Sequence, residues 1–123
     1  MNGNNMVLDT NIILYFLNGD ETLLPLLEER NLIISVITEI ELLSYNELSK
    51  EELEAIQGFI GDCTIVNLND DIKEIAISIR KKHKIKLPDS IILATANSLN
   101  TPLITADLDF EEMDDPNIIL YKA

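Results

Sequence analysis

The chain has 123 residues, of which 46% are hydrophobic and 25% charged, and its formal net charge at pH 7 is −13. This length and composition are typical of a single soluble domain with its own core. No apolar run reaches the roughly 18–20 residues of a membrane helix, and no signal peptide is visible. The strong acidity argues against non-specific binding of nucleic acid, which needs Lys and Arg.

Cysteine and histidine each occur once, at Cys63 and His83. One cysteine cannot form an internal disulfide, which favours a reducing cytoplasm as the location of the protein. The apolar neighbours of Cys63 indicate a packed thiol, and His83 is expected to pack or to be solvated at a helix end. A zinc site is therefore disfavoured, since zinc prefers Cys and His ligands.

Short apolar segments alternate with helical patterns along the chain, after a first five residues that are expected to be disordered. Strands are predicted at Met6–Leu8, Leu32–Ser35, Thr64–Val66, Leu103–Thr105 and Ile118–Leu120. Helices are predicted at about 11–18, 20–30, 37–47, 49–60, 70–83 and 88–99. The strands are almost entirely apolar, which is typical of strands covered on both faces. This alternation predicts a parallel sheet with helices on both sides.

In such a sheet, ligands bind beyond the carboxyl ends of the strands, near the point where the strand order reverses. Asp9 directly follows the first predicted strand. It is suited equally to binding a cation and to capping the next helix, although Asn11 could provide the cap instead.

Glu41 lies on the predicted helix after the second strand. At 3.6 residues per turn, it falls within an apolar stripe formed by Ile37, Ile40, Ser44 and Leu48. A carboxylate in an apolar stripe is costly unless a cation or hydrogen-bond donors meet it. This favours a functional Glu41 over one that reaches sideways into water.

Asp89 follows Pro88 at the start of a predicted helix, where an acid complements the helix dipole. It also shares a face with Ile92, Leu93 and Ala96, while Ser90 and Asn97 face the other way. Dipole compensation does not require an inward-pointing acid, so the pattern leaves room for a cation ligand.

Asp107 and Asp109 follow the fourth predicted strand, and Phe110 is expected to anchor this turn against the core. Either acid or both could bind a cation, but for Asp109 an acidic surface loop is the favoured interpretation. Asp9, Glu41, Asp89 and Asp107 thus all fall at strand ends or helix starts. Carboxylates gathered in one pocket repel each other, and Mg²⁺ or Mn²⁺ would relieve that repulsion.

The basic residues are unevenly distributed as well. Five of the nine Lys and Arg residues lie between Arg80 and Lys86, whereas the segment 107–115 has six acids and no base. A solvated face and a functional surface explain this pattern equally well.

With these residues identified, the chain resembles the PIN-domain family, and specifically the VapC-like toxins of toxin–antitoxin pairs. Four blocks in the family's order carry the resemblance: Val7–Asn11, Ile34–Leu43, Lys82–Ala96 and Leu103–Phe110. The order of predicted strands and helices is similar over nearly the whole chain. Asn100 stands where the family commonly has a glycine, but asparagine tolerates the left-handed conformation of a helix end. Ser44-Tyr45 stands where a small residue often follows the second block.

The resemblance implies a three-layer α/β/α sandwich with a central parallel sheet of four to five strands, in one domain over 1–123. It implies an endoribonuclease that hydrolyses RNA phosphodiester bonds with one or two Mg²⁺ or Mn²⁺ ions. The family's catalytic and metal-binding acids map onto Asp9, Glu41, Asp89 and Asp107, with Asn11, Thr105 and Asp109 as supporting residues. The implied partners are RNA, a second copy in a homodimer, and an antitoxin that covers the acidic pocket.

Two other functions are compatible with parts of this pattern. A phosphoacceptor receiver domain has a similar length and an acidic Mg²⁺ pocket, but it needs paired acids after the first strand, where only Asp9 stands. A non-catalytic interaction module with the same fold is the other alternative. Metal-dependent cleavage of RNA distinguishes the enzyme from both.

Overall fold

A computed structural model describes residues 4–122. Within that range, five parallel strands form one sheet in the order β3-β2-β1-β4-β5. The strands are β1 (Asn5–Leu8), β2 (Asn31–Ser35), β3 (Thr64–Val66), β4 (Leu103–Thr105) and β5 (Ile118–Leu120). Their predicted positions are confirmed. Asn5, expected to be disordered, instead begins β1 and pairs with Asn31, and residues 1–3 lie outside the described range.

Six α-helices connect the described strands, and none of them is long and apolar enough to cross a membrane. They are α1 (Thr10–Leu17), α2 (Leu24–Leu27), α3 (Val36–Leu43), α4 (Lys50–Gly61), α5 (Asp70–Lys82) and α6 (Leu87–Ser98). Polar side chains cap most of them: Ser49 and Glu52 form a reciprocal capping box on α4, and Asn69 caps α5.

The single helix predicted over 20–30 is wrong. The chain forms a 3₁₀ turn at Glu21–Leu23 followed by the one-turn helix α2. Pro25 lies in the first turn of α2 and Glu29 has a φ of 60°, so a continuous helix is excluded on both sides of this short piece. The chain then turns back to enter β2 at Asn31.

The side chains of the central strands alternate between two cores. Val7, Ile33 and Leu103 point to the side covered by α5 and α6. Met6, Leu8, Ile34 and Ile104 point to the side covered by α1, α2 and α4, whose buried residues include Ile12, Leu27 and Ile56. The three-layer α/β/α sandwich expected from the resemblance is therefore present, with five strands.

The expectation that every strand is covered on both faces fails at the edges of the sheet. Thr64 and Ile65 of β3 and Ile119 of β5 are exposed, because each of these strands has a neighbour on one side only. The central strands β1 and β4 are covered on both faces. Each of these two strands also has a neighbour on both sides, so their carboxyl ends lie in the interior of the sheet.

The strand order reverses beside β1. The chain runs from β1 outward through β2 to β3, then returns to β4 on the other side of β1 and continues outward to β5. Asn100, which follows α6 just before β4, has a φ of 50°, as expected for an asparagine at a helix end. The carboxyl ends of β1 and β4 lie side by side at the reversal, where a parallel sheet places its ligands.

Candidate metal centre

Asp9 lies at the end of β1 and is only 4% exposed. Its Oδ1 accepts a hydrogen bond from the Thr10 backbone N–H at 2.7 Å, which makes Asp9 the N-cap of α1. Its Oδ2 accepts a hydrogen bond from Thr105 Oγ1 at 2.7 Å, and Asn11 Nδ2 lies 3.5 Å away. The two short bonds fix the orientation of the carboxylate. The two roles considered for Asp9 from the sequence, capping of α1 and binding of a cation, do not exclude each other.

Thr105, the last residue of β4, connects two of the acids. Its fully buried hydroxyl donates to Asp9 and accepts a hydrogen bond from the Asp107 backbone N–H at 3.0 Å. Asn11 provides a second link, since its Oδ1 accepts a hydrogen bond from the Ala106 N–H at 3.2 Å. Thr105 and Asn11 therefore hold the loops after β1 and β4 in a fixed relation.

Glu41 reaches the same edge of the sheet from α3. Its Oε1 accepts a hydrogen bond from Thr10 Oγ1 at 2.7 Å, and Thr10 Oγ1 also lies 3.2 Å from Thr38 Oγ1. Thr10 thus joins Asp9, through its backbone, to Glu41, through its side chain. Sequence reasoning missed Thr10 and Thr38, although Thr38 stands one helical turn before Glu41 and Thr10 directly follows Asp9.

The apolar stripe used to single out Glu41 is wrong. Ile40 is 55% exposed and Ser44 is also exposed, while the buried residues of α3 are Thr38 and Leu42. The helix ends at Leu43, earlier than predicted, and the Ser44 hydroxyl bonds back to the Ile40 carbonyl oxygen. Glu41 lies beside the true buried face and is half-buried.

Three further acids lie close together on the α6 and β4 side of the site. Asp89, Asp107 and Asp109 each offer a carboxylate oxygen within 4.8 Å of the other two, and within residues 4–122 this is the one such group of three. Asp107 Oδ1 accepts a hydrogen bond from the Asp109 N–H at 2.9 Å, which caps the 3₁₀ turn Leu108–Phe110. Asp109 is exposed, as predicted for an acid in a surface loop, and it also belongs to this group of three acids.

The helix α6 is enclosed along most of its length. Every residue from Ser90 to Ala96 is buried, and the Ser90 hydroxyl donates a hydrogen bond to the Leu87 carbonyl oxygen. Asp89 is half-buried at the start of this enclosed helix. Phe110 is 2% exposed and anchors the turn after β4 against the core, as predicted.

The pKa values show that the four predicted acids influence one another. Burial raises the pKa of Asp89 to about 6, and the charges of Asp9, Asp107 and Glu41 add to the effect, while Lys86 lowers it. Burial also raises the pKa of Asp9, against the hydrogen bonds from Thr105 and Thr10, and the charges of Glu41 and Asp107 raise it further. The structure therefore brings Asp9, Glu41, Asp89 and Asp107 into one electrostatic neighbourhood.

The donor set fits a hard divalent cation. All the converging groups are carboxylates, which Mg²⁺ and Mn²⁺ prefer. The ion pairs within residues 4–122 are Lys73–Asp70 and Lys122–Glu111, so none of the five acids has a protein cation as its ion-pair partner. Cys63 lies outside the group, and burial raises the pKa of its thiol to about 11, which disfavours a thiolate ligand. A bound cation would oppose the burial and the repulsion from neighbouring acids that together raise the pKa of Asp89.

Comparison with known proteins gives consistent results. The PIN domain family model matches residues 6–116. No curated protein sequence matches the chain. Among solved structures, a toxin–antitoxin complex from Klebsiella pneumoniae contains a chain with 29% identity and a TM-score of 0.82, over 96% of this chain and 99% of that one. VapBC2 from Rickettsia felis, bound to a DNA fragment from its promoter, has 23% identity and a TM-score of 0.77, with 95% and 97% covered. DNA-bound VapBC from Salmonella typhimurium also has 23% identity and a TM-score of 0.77, with 95% and 96% covered.

Proposed function

The chain belongs to the PIN domain family, and on that basis we propose that it is an Mg²⁺- or Mn²⁺-dependent endoribonuclease, the toxin of a toxin–antitoxin pair. The observation that carries the proposal is the convergence of Asp9, Glu41, Asp89 and Asp107, with Asp109, at the carboxyl edge of β1 and β4. Since none of these acids has an ion-pair partner within residues 4–122, the cluster is suited to a divalent cation and not to an anionic ligand alone.

We propose that Asp9, Asp89 and Asp107 hold the cation, and that Glu41 and Asp109 bind it or orient its waters. Such a cation, when bound, lowers the pKa of a water molecule and offsets negative charge on phosphate oxygens. Asp9 Oδ2 is fixed by the short hydrogen bond from Thr105, whereas Asn11 Nδ2 lies at the longer distance of 3.5 Å, so a cation would take the place of this weak contact at the second lone pair of Oδ2. Asp107 uses Oδ1 to cap its own turn, which leaves Oδ2 for the site.

The proposed reaction is hydrolysis of a phosphodiester. Water adds to phosphorus, the bond to one ribose oxygen breaks, and the products carry a phosphate monoester on one end and a hydroxyl on the other. The contribution of the chain is to hold its carboxylates in position before substrate arrives, since Asp9 and Asp107 are oriented through the buried Thr105 hydroxyl. This preorganisation is what the enzyme would lose if Thr105 were replaced.

The proposed partner is an antitoxin. The solved structures most informative for this point are described as toxin–antitoxin or VapBC complexes, and the one from Klebsiella pneumoniae is 29% identical to this chain. A pocket of unpaired acids is chemically suited to a basic side chain, so we propose that an arginine or lysine of the antitoxin enters it. A homodimer in the cytoplasm completes the proposal, and light scattering of the purified chain would test the dimer.

The function is tested by incubating the purified chain with a mixture of cellular RNAs in Mg²⁺, in Mn²⁺ and in EDTA. We expect discrete cleavage products with either cation and none with the chelator. A chain carrying both Asp89→Asn and Asp107→Asn serves to exclude a contaminating nuclease, and its circular dichroism spectrum verifies the fold. Cleavage that persists in EDTA or in this double variant would contradict the proposal, as would the absence of cleavage in every condition.

A further inference from the structure

The segment between α5 and α6 carries an unpaired cluster of cations. Five of the nine basic residues lie there: Arg80, Lys81, Lys82, Lys84 and Lys86. None of them forms an ion pair within residues 4–122, although the chain has 22 acids. The first three occupy the last turn of α5, where cations complement the helix dipole. That explanation does not extend to Lys84 and Lys86, which follow the helix.

The fold divides this cluster between different surfaces. Arg80, Lys84 and Lys86 line one groove of about 700 Å³, together with Ile85 and Leu108. Lys81 instead lines a mainly apolar groove on the other side of Arg80, which borders both grooves, and Lys82 lines a third cavity together with His83. Three of the five cations therefore share one groove, which we call the basic groove although Asp109, Glu111 and Glu112 also line it, and the other two cations lie outside it.

The basic groove adjoins the acidic site. Asp109 lines the groove and also belongs to the group of three acids with Asp89 and Asp107. The charge of Lys86 reaches Asp89, since it lowers the pKa of that carboxyl. Of the remaining acids on the wall of the groove, Glu111 is paired with Lys122 at 3.8 Å, and Glu112 faces the groove. An anion in the groove would thus lie beside the acids that hold the cation.

We propose that Lys84 and Lys86, with Arg80, bind backbone phosphates of the RNA strand next to the phosphate that is cleaved. This inference rests on the proposed function and identifies the groove along which the bound RNA strand extends beyond the acidic site. The net charge of −13 does not prevent it, because at physiological salt charges act over only about 8 Å, so distant acids have little effect on the groove. Of the three acids that line it, Glu111 is paired with Lys122, and Asp109 belongs to the proposed cation site, where a bound cation would offset its charge. The exposed Leu108 and the half-buried Ile85 offer apolar contact to the bases of the same strand.

Arg80 is unsuited to a clean test. Its Nε donates a hydrogen bond to the Ile85 carbonyl oxygen at 3.3 Å, which holds the segment after α5 in place. The amines of Lys84 and Lys86 make no hydrogen bond within the described part of the chain, so replacing them leaves the local structure intact. The matched control is the pair Lys81 and Lys82, which lies in the same cluster and outside the groove.

The experiment measures binding of a fluorescein-labelled single-stranded RNA by fluorescence anisotropy over a range of salt concentrations. Three full-length chains are compared: Asp9→Asn alone, which prevents cleavage, Asp9→Asn with Lys84→Gln and Lys86→Gln, and Asp9→Asn with Lys81→Gln and Lys82→Gln. In the chain with Lys84→Gln and Lys86→Gln, loss of two phosphate contacts should weaken binding roughly tenfold at 0.15 M salt. The slope of the logarithm of the binding constant against the logarithm of the salt concentration should become smaller in magnitude by about 1.4. The control pair, which removes the same charge, is expected to change binding less than twofold, or about 0.4 kcal/mol.

The two pairs are also compared without Asp9→Asn. Lys84→Gln with Lys86→Gln is expected to raise KM about as much as it weakens binding, with a smaller change in kcat that arises from the loss of the Lys86 charge near Asp89. Three outcomes would each overturn the inference. Both pairs of substitutions could weaken binding equally, neither pair could weaken it, or the Asp9→Asn chain could fail to bind RNA. If the wild-type chain binds RNA through this groove and does not cleave it, the inference stands and the proposed function fails.

Discussion

Asp9 and Asp20 have the same side chain and the same local role, and they lie in opposite electrostatic environments. Each caps a helical segment through its own carboxylate, Asp9 at α1 and Asp20 at the 3₁₀ turn Glu21–Leu23. Asp9 is buried among other acids, and its pKa is raised, chiefly by burial. Asp20 lies against hydroxyls, and the hydrogen bonds from Thr22 and Tyr121 lower its pKa.

The comparison distinguishes acids whose ionisation stabilises the folded state from acids whose ionisation destabilises it. Asp20 is most stable as a carboxylate, and it ties the 3₁₀ turn to the C-terminal segment through the Tyr121 hydroxyl at 2.8 Å. The raised pKa values of Asp9 and Asp89 mean that ionising them opposes folding, and perturbed pKa values of this kind are common at functional sites. Substitutions in the two regions should therefore have opposite effects on activity and on stability.

The largest expected effect is the loss of RNA cleavage in Asp9→Asn. Replacing a residue that merely orients a metal ligand commonly costs 10- to 100-fold, so removing a proposed ligand should lower kcat/KM by at least about 100-fold. Asn keeps the cap to the Thr10 N–H and removes a buried charge, but its amide nitrogen cannot accept the hydrogen bond from Thr105. These effects oppose each other, so the thermal melting temperature in the absence of divalent cations should change little. Asp20→Asn is the matched control and should cleave RNA at the wild-type rate. Equal activity of the two variants would refute the distinction.

The next effect concerns Thr105, which touches both Asp9 and Asp107. Thr105→Val removes the hydroxyl and keeps the shape, and we expect a loss of about 10- to 100-fold in kcat/KM, with weaker Mn²⁺ binding measured by calorimetry. Thr105→Ser, which keeps the hydroxyl, should retain most of the kcat/KM and most of the Mn²⁺ affinity. Thr95→Val provides the control, since the buried Thr95 hydroxyl bonds only to the Ile91 carbonyl oxygen inside α6. A Thr105→Val chain with normal Mn²⁺ affinity would show that this hydroxyl is structural.

A smaller effect is the pH dependence of stability without divalent cations. The folded-state pKa of Asp89 is about 6, above its ordinary value of 3.8, so the folded protein binds this proton more tightly than the unfolded chain does. The resulting stability is fully present below pH 4 and is lost as the pH rises through about 6. We expect the melting temperature of the wild type to fall by a few degrees over this range. The fall should be smaller in Asp89→Asn, and addition of Mg²⁺ at pH 7 should restore the melting temperature of the wild type. Parallel pH profiles for wild type and Asp89→Asn would contradict this.

The smallest effect is the destabilisation caused by Asp20→Asn. Because the pKa of Asp20 is lowered in the folded state, its contribution is present above the ordinary pKa of 3.8 and is lost as the pH falls through the lowered value. Urea unfolding at pH 7 should show slightly lower stability for the variant, and the difference should disappear in strong acid. Persistence of the difference in strong acid would assign it to packing and not to charge.

The sequence predicted the strands and the acids after them because these depend on local patterns. Central strands such as β1 and β4 are continuous apolar runs, and an acid directly after such a run is visible without a structure. The edge strands β3 and β5 show the limit of this reasoning. They look the same in sequence, and their exposure follows from the strand order, which local patterns do not encode.

Glu41 and Asp109 show what local patterns missed. The predicted stripe around Glu41 includes Ile40 and Ser44, which are exposed, and the position of Glu41 depends on the Thr10 hydroxyl from another helix. Asp109 resembled a surface acid, and its proximity to Asp89 results from the packing of α6 beside the turn after β4. Both depend on contacts between residues far apart in the chain.

The central claim is that these acids hold a divalent cation, and diffraction from crystals soaked in Mn²⁺ tests it most directly. We predict an anomalous peak between the carboxylates of Asp89, Asp107 and Asp9, which is absent from crystals of Asp107→Asn. A peak only at surface acids such as Asp20, or none at the carboxyl edge of β1 and β4, would contradict the account.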